Sequence, residues 1–313
     1  MKRIIAGATG FIGQHLVKRW LAAGHEIIVI GRSREKINKL FGTTVKAVTW
    51  EELAANGQPI IAGAQAIINL AGENIGAKLW SEQRKQEILL SRTQATATLA
   101  ELCASLGAQS PGLLNASAIG VYGLQPAIDK QLPPAYDEST TIDFTQTPDF
   151  LAQVGRAWEL AALPAKTAGV RVIWMRFGVV LAKEGGVLPQ LSLPTKLFVG
   201  GPIGSGLQAF SWITLNDLCA AIDFLLDNPH ISGAINLVAP GCVTQKQLAK
   251  ALGRIFYRPS FIKTPAFVFK FMFGQMAEEL LLSGQNVYPK RLLELGFKFQ
   301  SPDIESALKK IYR

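Results

Sequence analysis

Cysteine and histidine are both scarce in this chain, and each scarcity excludes something. Cys103, Cys219 and Cys242 are the only thiols in 313 residues, odd in number and far apart, so no disulfide framework is expected. Two of them lie in apolar helical contexts, which points to reduced, buried thiols and a cytoplasmic location. His15, His25 and His230 share no ligand spacing with one another or with the cysteines, and no metal site is expected. Long apolar runs are also missing. The best candidate, residues 267–282, is broken by Lys270 and by Glu278-Glu279, so no membrane partner is expected. Met1-Lys2-Arg3 leads straight into a strand-like run and does not read as a signal peptide. The net charge of +9 is scattered over residues 32–39, 84–85, 290–291 and 309–310 without an aromatic-interleaved block. Such scatter argues against nucleic acid and for a solvated surface with an anionic small-molecule ligand. Repeats and low-complexity tracts are absent. What remains, 49% hydrophobic and 18% charged, describes a globular chain long enough for a sizeable core.

The richest segment is Gly7-Ala8-Thr9-Gly10-Phe11-Ile12-Gly13, directly after the apolar run Ile4-Ile5-Ala6. It reads as a strand turning tightly into a helix, so the first free backbone N–H groups and the helix dipole converge on a pyrophosphate site. Gly7 suits the turn, Gly10 lets the backbone approach phosphates, and Gly13 lets the helix pack closely. The following helix carries Ile12, Leu16 and Trp20 on one stripe, ends at Ala23-Gly24, and gives way to the β-branched run Glu26 to Ile30. Together these make a βαβ unit.

The end of that second strand bears on which dinucleotide binds. NAD sites place a carboxylate there for the ribose hydroxyls, whereas NADP sites need a cation for the 2′-phosphate. The segment is Gly31-Arg32-Ser33-Arg34-Glu35-Lys36, with Arg32 at the tip and Ser33 as a further donor. NADP is therefore expected, with NAD as the alternative; the competing reading is a solvated helix start.

Strand-like runs at residues 44–49, 66–70, 112–116 and 170–174 alternate with helical stretches at 80–106 and 148–168, the latter with Pro164 as a kink or stop. Glycine pairs at 185–186 and 200–201, and Gly204-Ser205-Gly206, mark a loop-rich region suited to lie over a cofactor cleft. Trp212 and Asp217 flank the start of a helix through Leu226, with Asp217 read as a cap or ion-pair partner. A strand at 234–237 and a mainly helical tail follow. The expected architecture is α/β: a doubly wound Rossmann parallel sheet with a smaller C-terminal α+β lobe. Residues 1–183 form the NADP-binding domain, with its sheet completed by about 211–239; residues 184–210 and 240–313 form the lobe.

Gly7 to Gly13, Asn69-Leu70-Ala71-Gly72 and Ser117 to Gly123 with its Val121-Tyr122-Gly123 resemble the extended short-chain dehydrogenase/reductase superfamily. Asn69 to Ile75, Ser91-Arg92, Trp158-Glu159, Gly178 to Leu181, Ser211 to Ile213, Leu281 to Gln285, Pro289 and Gly296-Phe297 are more particular. They are similar to its atypical epimerase-like subgroup, whose C-terminal domain has no assigned function. The resemblance implies NADP or NAD binding, with Gly7, Thr9, Gly10, Phe11, Ile12, Gly13, Arg32, Ser33, Leu70, Ala71, Gly72, Phe177 and Gly178 around the cofactor. It supplies no substrate. Its long helices resemble those that form a four-helix dimer seam, which admits a homodimer.

Catalytic members of the superfamily carry a tyrosine and, four residues later, a lysine. Counting back from Glu159, the two slots fall on Leu151 and Gly155, and neither side chain can act as acid or base. Ala118 replaces the usual serine or threonine, with Ser117 one residue earlier. Tyr122, Glu73, Arg92 and Ser117 are the substitute candidates, all expected to face the nicotinamide end beyond the carboxyl ends of the strands. Tyr122 reads as a proton donor or acceptor, or as a packed aromatic. Glu73 reads as a base and Arg92 as an anion stabiliser, or both as structural ties. Ser117 reads as a cofactor or substrate contact, or as a satisfied core hydroxyl. Two functions follow: an NADP-binding epimerase- or oxidoreductase-like protein acting on a small polar metabolite such as a nucleotide sugar, or a non-catalytic NADP sensor or interaction module.

Overall fold

The computed structural model describes residues 1–126 and 131–313. Alternation of apolar residues along the first strands sets the architecture. In β1 (Lys2–Ala6) and β2 (Glu26–Gly31), Ile5, Ile27 and Val29 join one core, while Ile4, Ile28 and Ile30 join the other. A strand buried on both faces belongs inside a sheet with helices on each side.

Between them runs α1 (Phe11–Ala22), and then come α2 (Arg34–Phe41), β3 (Lys46–Thr49), α3 (Trp50–Ile61), β4 (Ala66–Asn69) and α4 (Glu82–Leu106). Next are β5 (Gly112–Ala118), a 3₁₀ turn over Ile119–Tyr122, α5 (Phe150–Leu160), α6 (Leu163–Thr167) and β6 (Val172–Phe177). The expected helix over 148–168 is two helices, interrupted at residues 161–162 ahead of Pro164, which starts α6 where its missing N–H costs little. β7 (Val179–Leu181), α7 (Leu188–Lys196), β8 (Ala209–Phe210), β9 (Trp212–Thr214), α8 (Leu215–Asp227) and β10 (Gly233–Leu237) follow. The main sheet has seven strands in the order β10-β6-β5-β4-β1-β2-β3, with every pairing parallel. Order reverses between β1 and β4, so a crevice opens beside the β1–α1 turn, where such sheets bind ligands.

β11 (Val243–Thr244) pairs with β8, and β7 pairs with β9, as two small sheets outside the main one. α9 (Gln245–Phe256) and α13 (Ile304–Tyr312) share a separate core with Leu181, Leu188 and Trp212. Asp217 is wholly buried; it accepts from Thr214 Oγ1 at 3.0 Å and from the backbone N–H groups of Gln300 and Ser301 at 2.8 and 3.0 Å, fastening the tail to α8. α10 (Ala266–Phe273) buries none of its residues, and Phe267 and Phe271 stand exposed. α11 (Gln275–Ala277), a π turn over Glu278–Leu282 and α12 (Lys290–Glu294) complete the chain. Among the described residues, no helix is long and apolar enough to cross a membrane. Cys103 and Cys219 are buried and Cys242 is partly so, all unpaired.

Candidate functional site

The turn from β1 into α1 is shaped by close approach. Gly7 has φ +79°, and a Cβ there would lie 2.5 Å from the Leu70 carbonyl oxygen, so this residue brings the first and fourth strand ends together. At Gly13 a Cβ would lie 2.5 Å from the Ala8 Cα, which lets α1 press onto the turn. Gly10 caps α1 without any side-chain hydrogen bond and is exposed, while Thr9, Phe11 and Ile12 are half-buried beside it. The first amides of α1 thus keep their donors for an anion. Leu70, Ala71 and Gly72 form the opposite lip, with the Ala71 N–H held by Asn69 Oδ1 at 3.1 Å. Gly185 lies against the Phe11 ring, so the loop after β7 does lean over this turn.

Arg32 projects from the end of β2 with 82% of its side chain exposed, 3.1 Å from Glu73 Oε1. Ser33 is the N-cap of α2, its hydroxyl accepting from the Lys36 N–H at 3.2 Å. Glu73 is tied to its neighbours. Its second oxygen lies 3.3 Å from Arg84, and its N–H donates to Ser91 Oγ at 3.0 Å. Burial pushes the Glu73 carboxyl up, but Arg84 and Arg32 outweigh it and hold the group below the usual carboxylate range.

Tyr122 and Ser117 also lie elsewhere than expected. They belong to one buried polar chain. Arg176, 5% exposed on β6, meets Glu159 on α5 through two N–H donors at 2.8 and 2.9 Å. Ser117 Oγ donates to Glu159 at 2.8 Å. The Tyr122 hydroxyl lies within 3.0 Å of Arg176 Nη1, Asn236 Oδ1 and the Asp137 carbonyl oxygen, and its ring stacks on Tyr136. Burial pushes the Tyr122 phenol up, against the pull of Arg176. These side chains spend their hydrogen bonds on one another, which is the packed-aromatic and satisfied-hydroxyl reading for both.

Beyond the ends of β5 and β6 a cavity of about 240 Å³ remains, and of the four catalytic candidates Arg92 alone lines it. Its walls include Ile119, Leu151, Trp158, Phe177, Gly178 and Phe210. Gly178 is small because a Cβ there would meet Val238 and Ser211 at 2.7 and 2.9 Å. The tyrosine and lysine slots are both in the lining, as Leu151 and Gly155. Gly155 has a physical reason: a Cβ would sit 3.0 Å from the Val121 N, so α5 presses directly on the 3₁₀ turn. Arg92 donates to the Ile88 carbonyl oxygen at 2.9 Å and lies over the Trp158 ring at 5.0 Å. Among the described residues no carboxylate is paired with it, and burial pulls its pKa down to about 10 despite the distant charge of Glu73.

Sequence reasoning passed over two groups here. Asn69, Thr96, Asn115 and Trp158 hydrogen-bond together at 2.7–3.0 Å and lock β4, β5, α4 and α5 behind the cavity. Their signal was asparagine near the ends of otherwise apolar strands. The C-terminal lobe supplies Glu279, Leu280, Ser283 and Gln285 to the lining. Glu279 receives the Phe150 and Leu151 N–H groups at 3.3 and 3.0 Å, closing the start of α5. No group of histidine, cysteine, aspartate and glutamate among the described residues could hold a metal ion.

Residues 3–237 match the model of the NAD dependent epimerase/dehydratase family, and residues 264–311 match a domain of unknown function, DUF1731. The human epimerase family protein SDR39U1 is 36% identical over 99% of both chains. Its chloroplastic homologue from Arabidopsis thaliana is 37% identical, covering 98% of this chain and 85% of that one. A crystal structure of the human protein with NADPH superposes with a TM-score of 0.87 at 34% identity, over 100% of this chain and 99% of that one.

Proposed function

The chain belongs to the NAD dependent epimerase/dehydratase family, and from that we propose an NADPH-binding protein that transfers hydride to a small polar metabolite without the usual tyrosine and lysine. The observation that carries the cofactor is the uncapped, open turn at Gly10 with the largely exposed guanidinium of Arg32 at the end of β2, its one ion-pair partner among the described residues being the half-buried Glu73. The amides of Phe11, Ile12 and Gly13 suit the pyrophosphate, and Arg32, most of whose guanidinium is in solvent, suits the 2′-phosphate. The NADPH bound by the human relative supports this reading. When bound, NADPH would supply a hydride with its electron pair to an electrophilic carbon of the substrate.

An epimerase or dehydratase route begins by removing a hydroxyl proton. Among the described residues, no lining side chain is placed to take it, because Glu279 is committed to the start of α5 and Arg92 is a cation. The reading therefore favours reduction: Arg92 would hold an anionic group of the substrate, and water would give the reduced group its proton and leave as hydroxide. A second reading, nucleotide binding without turnover, is favoured by the commitment of Ser117, Tyr122 and Glu73 to structural bonds.

Fluorescence titration with NADPH and NADH, followed by a screen of carbonyl compounds and sugar nucleotides for NADPH oxidation, tests both. Arg32→Glu is expected to weaken NADPH by about ten- to a hundredfold, the worth of one charged hydrogen-bonded contact, and to leave NADH nearly unchanged. Equal effects on the two would remove the phosphate role. Tight binding with no turnover across the screen would favour the second reading.

A further inference from the structure

The cavity beyond β5 and β6 holds two sets of donors that the protein leaves unanswered. Arg92 makes one hydrogen bond, to a backbone carbonyl, and has no carboxylate partner among the described residues. Gln285 is 6% exposed, lines the same cavity, and its buried Nε2 has no partner among the described residues. A buried amide without an acceptor is costly, so its persistence calls for a ligand acceptor. The chain places Gln285 there deliberately in the geometric sense. Gly284 pairs with Gln125 as an isolated bridge, and any Cβ on it would overlap the Ala209 carbonyl oxygen, so the backbone arrives by a route that only glycine permits. Ser211 Oγ then holds the Gln285 carbonyl and the Val287 N–H, each at 2.9 Å.

The remaining lining is mostly apolar: Ile119, Leu151, Val154, Trp158, Phe210 and Leu280. A sugar nucleotide needs several cations for its diphosphate and many partners for its hydroxyls. Among the described residues this cavity offers one cation, the Gln285 amide and the Ser283 hydroxyl; Glu279 and Ser211 also line it, the first bonded to the Phe150 and Leu151 N–H groups and the second to the backbone at Gln285 and Val287. We propose that Arg92 and Gln285, the second contributed by the C-terminal domain, together hold the carboxylate of a small substrate that carries, besides that group and the carbonyl to be reduced, a largely apolar body. A carboxylate presents two acceptor oxygens, which suits a guanidinium fork joined by one amide, and an apolar body is what the walls can desolvate. The inference rests on the reductase reading for the place of the cavity beside the cofactor, but the carboxylate site itself stands without NADPH. It also gives the C-terminal domain a task, that of completing the substrate wall.

Calorimetric titration of the full chain, with and without saturating NADPH, uses benzoate and hexanoate against benzamide and hexanamide, with UDP-glucose as the sugar nucleotide. The carboxylates are expected to bind about tenfold or more tightly than their amides, as a charge-assisted contact requires. Arg92→Met is expected to abolish that preference and Gln285→Leu to weaken carboxylates several-fold, with NADPH affinity and melting temperature close to wild type in Gln285→Leu. No carboxylate binding at ten millimolar would overturn the proposal, as would a preference for UDP-glucose that survives Arg92→Met. Loss of NADPH affinity in Arg92→Met would reassign the guanidinium to the cofactor and overturn it too. Carboxylate binding that depends on Arg92 in a chain that ignores NADPH would uphold the site while removing the cofactor reading.

Discussion

Glu159→Gln should unfold this protein more readily than any change of similar size at its surface. The Glu159 carboxylate is 4% exposed and receives two N–H donors of Arg176 at 2.8 and 2.9 Å and the Ser117 hydroxyl at 2.8 Å. Arg176 is nearly as buried, and Glu159 lifts its pKa against the cost of desolvation; without the carboxylate that support is lost, but a guanidinium is basic enough to keep its charge in a protein interior. Removing one partner of a buried ion pair leaves an uncompensated charge and costs about 3–5 kcal/mol. With an unfolding entropy of about 2.1 cal/mol/K per residue, a chain of this length has about 0.65 kcal/mol/K, so the melting temperature should fall by about 5–8 °C. Scanning calorimetry measures it. The double change Glu159→Leu with Arg176→Met removes both charges and should be more stable than the single variant, although it deletes more hydrogen bonds. A fall under about 2 °C for Glu159→Gln, or a double variant less stable than the single one, would refute the assignment of this pair as a charged structural tie.

Tyr122→Phe deletes a hydroxyl with three buried partners and should cost about 1–3 kcal/mol while leaving NADPH affinity unchanged; titration and denaturant unfolding together separate this from a cofactor role. Burial pushes the Cys219 thiol up to about 12 from an ordinary value of 9.0, so above pH 9 the folded chain keeps a proton that the unfolded chain releases. Stability should therefore fall as pH rises, by about 2 kcal/mol at pH 10.5, and Cys219→Ala should flatten that descent in urea melts across pH 8–11. Phe271 is 93% exposed, so Phe271→Ser should change the melting temperature by less than about 1 °C, in contrast to a buried phenylalanine. A larger loss would mean that α10 is covered in solution.

The parallel sheet was legible because its evidence is local. Ile4-Ile5, Ile27-Ile28 and the glycine turn between them are contiguous in sequence, and each strand buried on both faces declares itself by a run of branched residues. Helix starts were legible only to within a residue or two: Ser81 and Asp149 fall inside the expected stretches 80–106 and 148–168 but cap α4 and α5, and Ser33, read as a cofactor donor, caps α2. The break before Pro164 was visible as a kink or stop, and the structure makes it a stop, with α5 ending at Leu160 and α6 starting at Leu163. The exposure of α10 was not legible, since Ala266 to Phe273 is as apolar as a core segment and nothing in its own residues says what packs on it.

The site divides along the same line. The glycine turn and Arg32 sit in one stretch of chain, so a sequence alone can bring them forward together as a candidate cofactor site. Tyr122, Ser117 and Glu73 were credited with free functional groups because their partners lie far away in sequence: Arg176 and Asn236 for the first, Glu159 for the second, Arg84 and Arg32 for the third. A sequence displays the donor but not whether it is already spent. Gln285 shows the converse. It passed as one letter of a family motif, yet its buried Nε2 has no partner among the described residues. When acidic and hydroxylic candidates are committed to the scaffold and a buried cation and amide are not, the chemistry of the cavity follows from what is left over. That remainder favours recognition of an anion over transfer of a proton, and it accounts for leucine and glycine in the two slots where a tyrosine and a lysine would otherwise be needed.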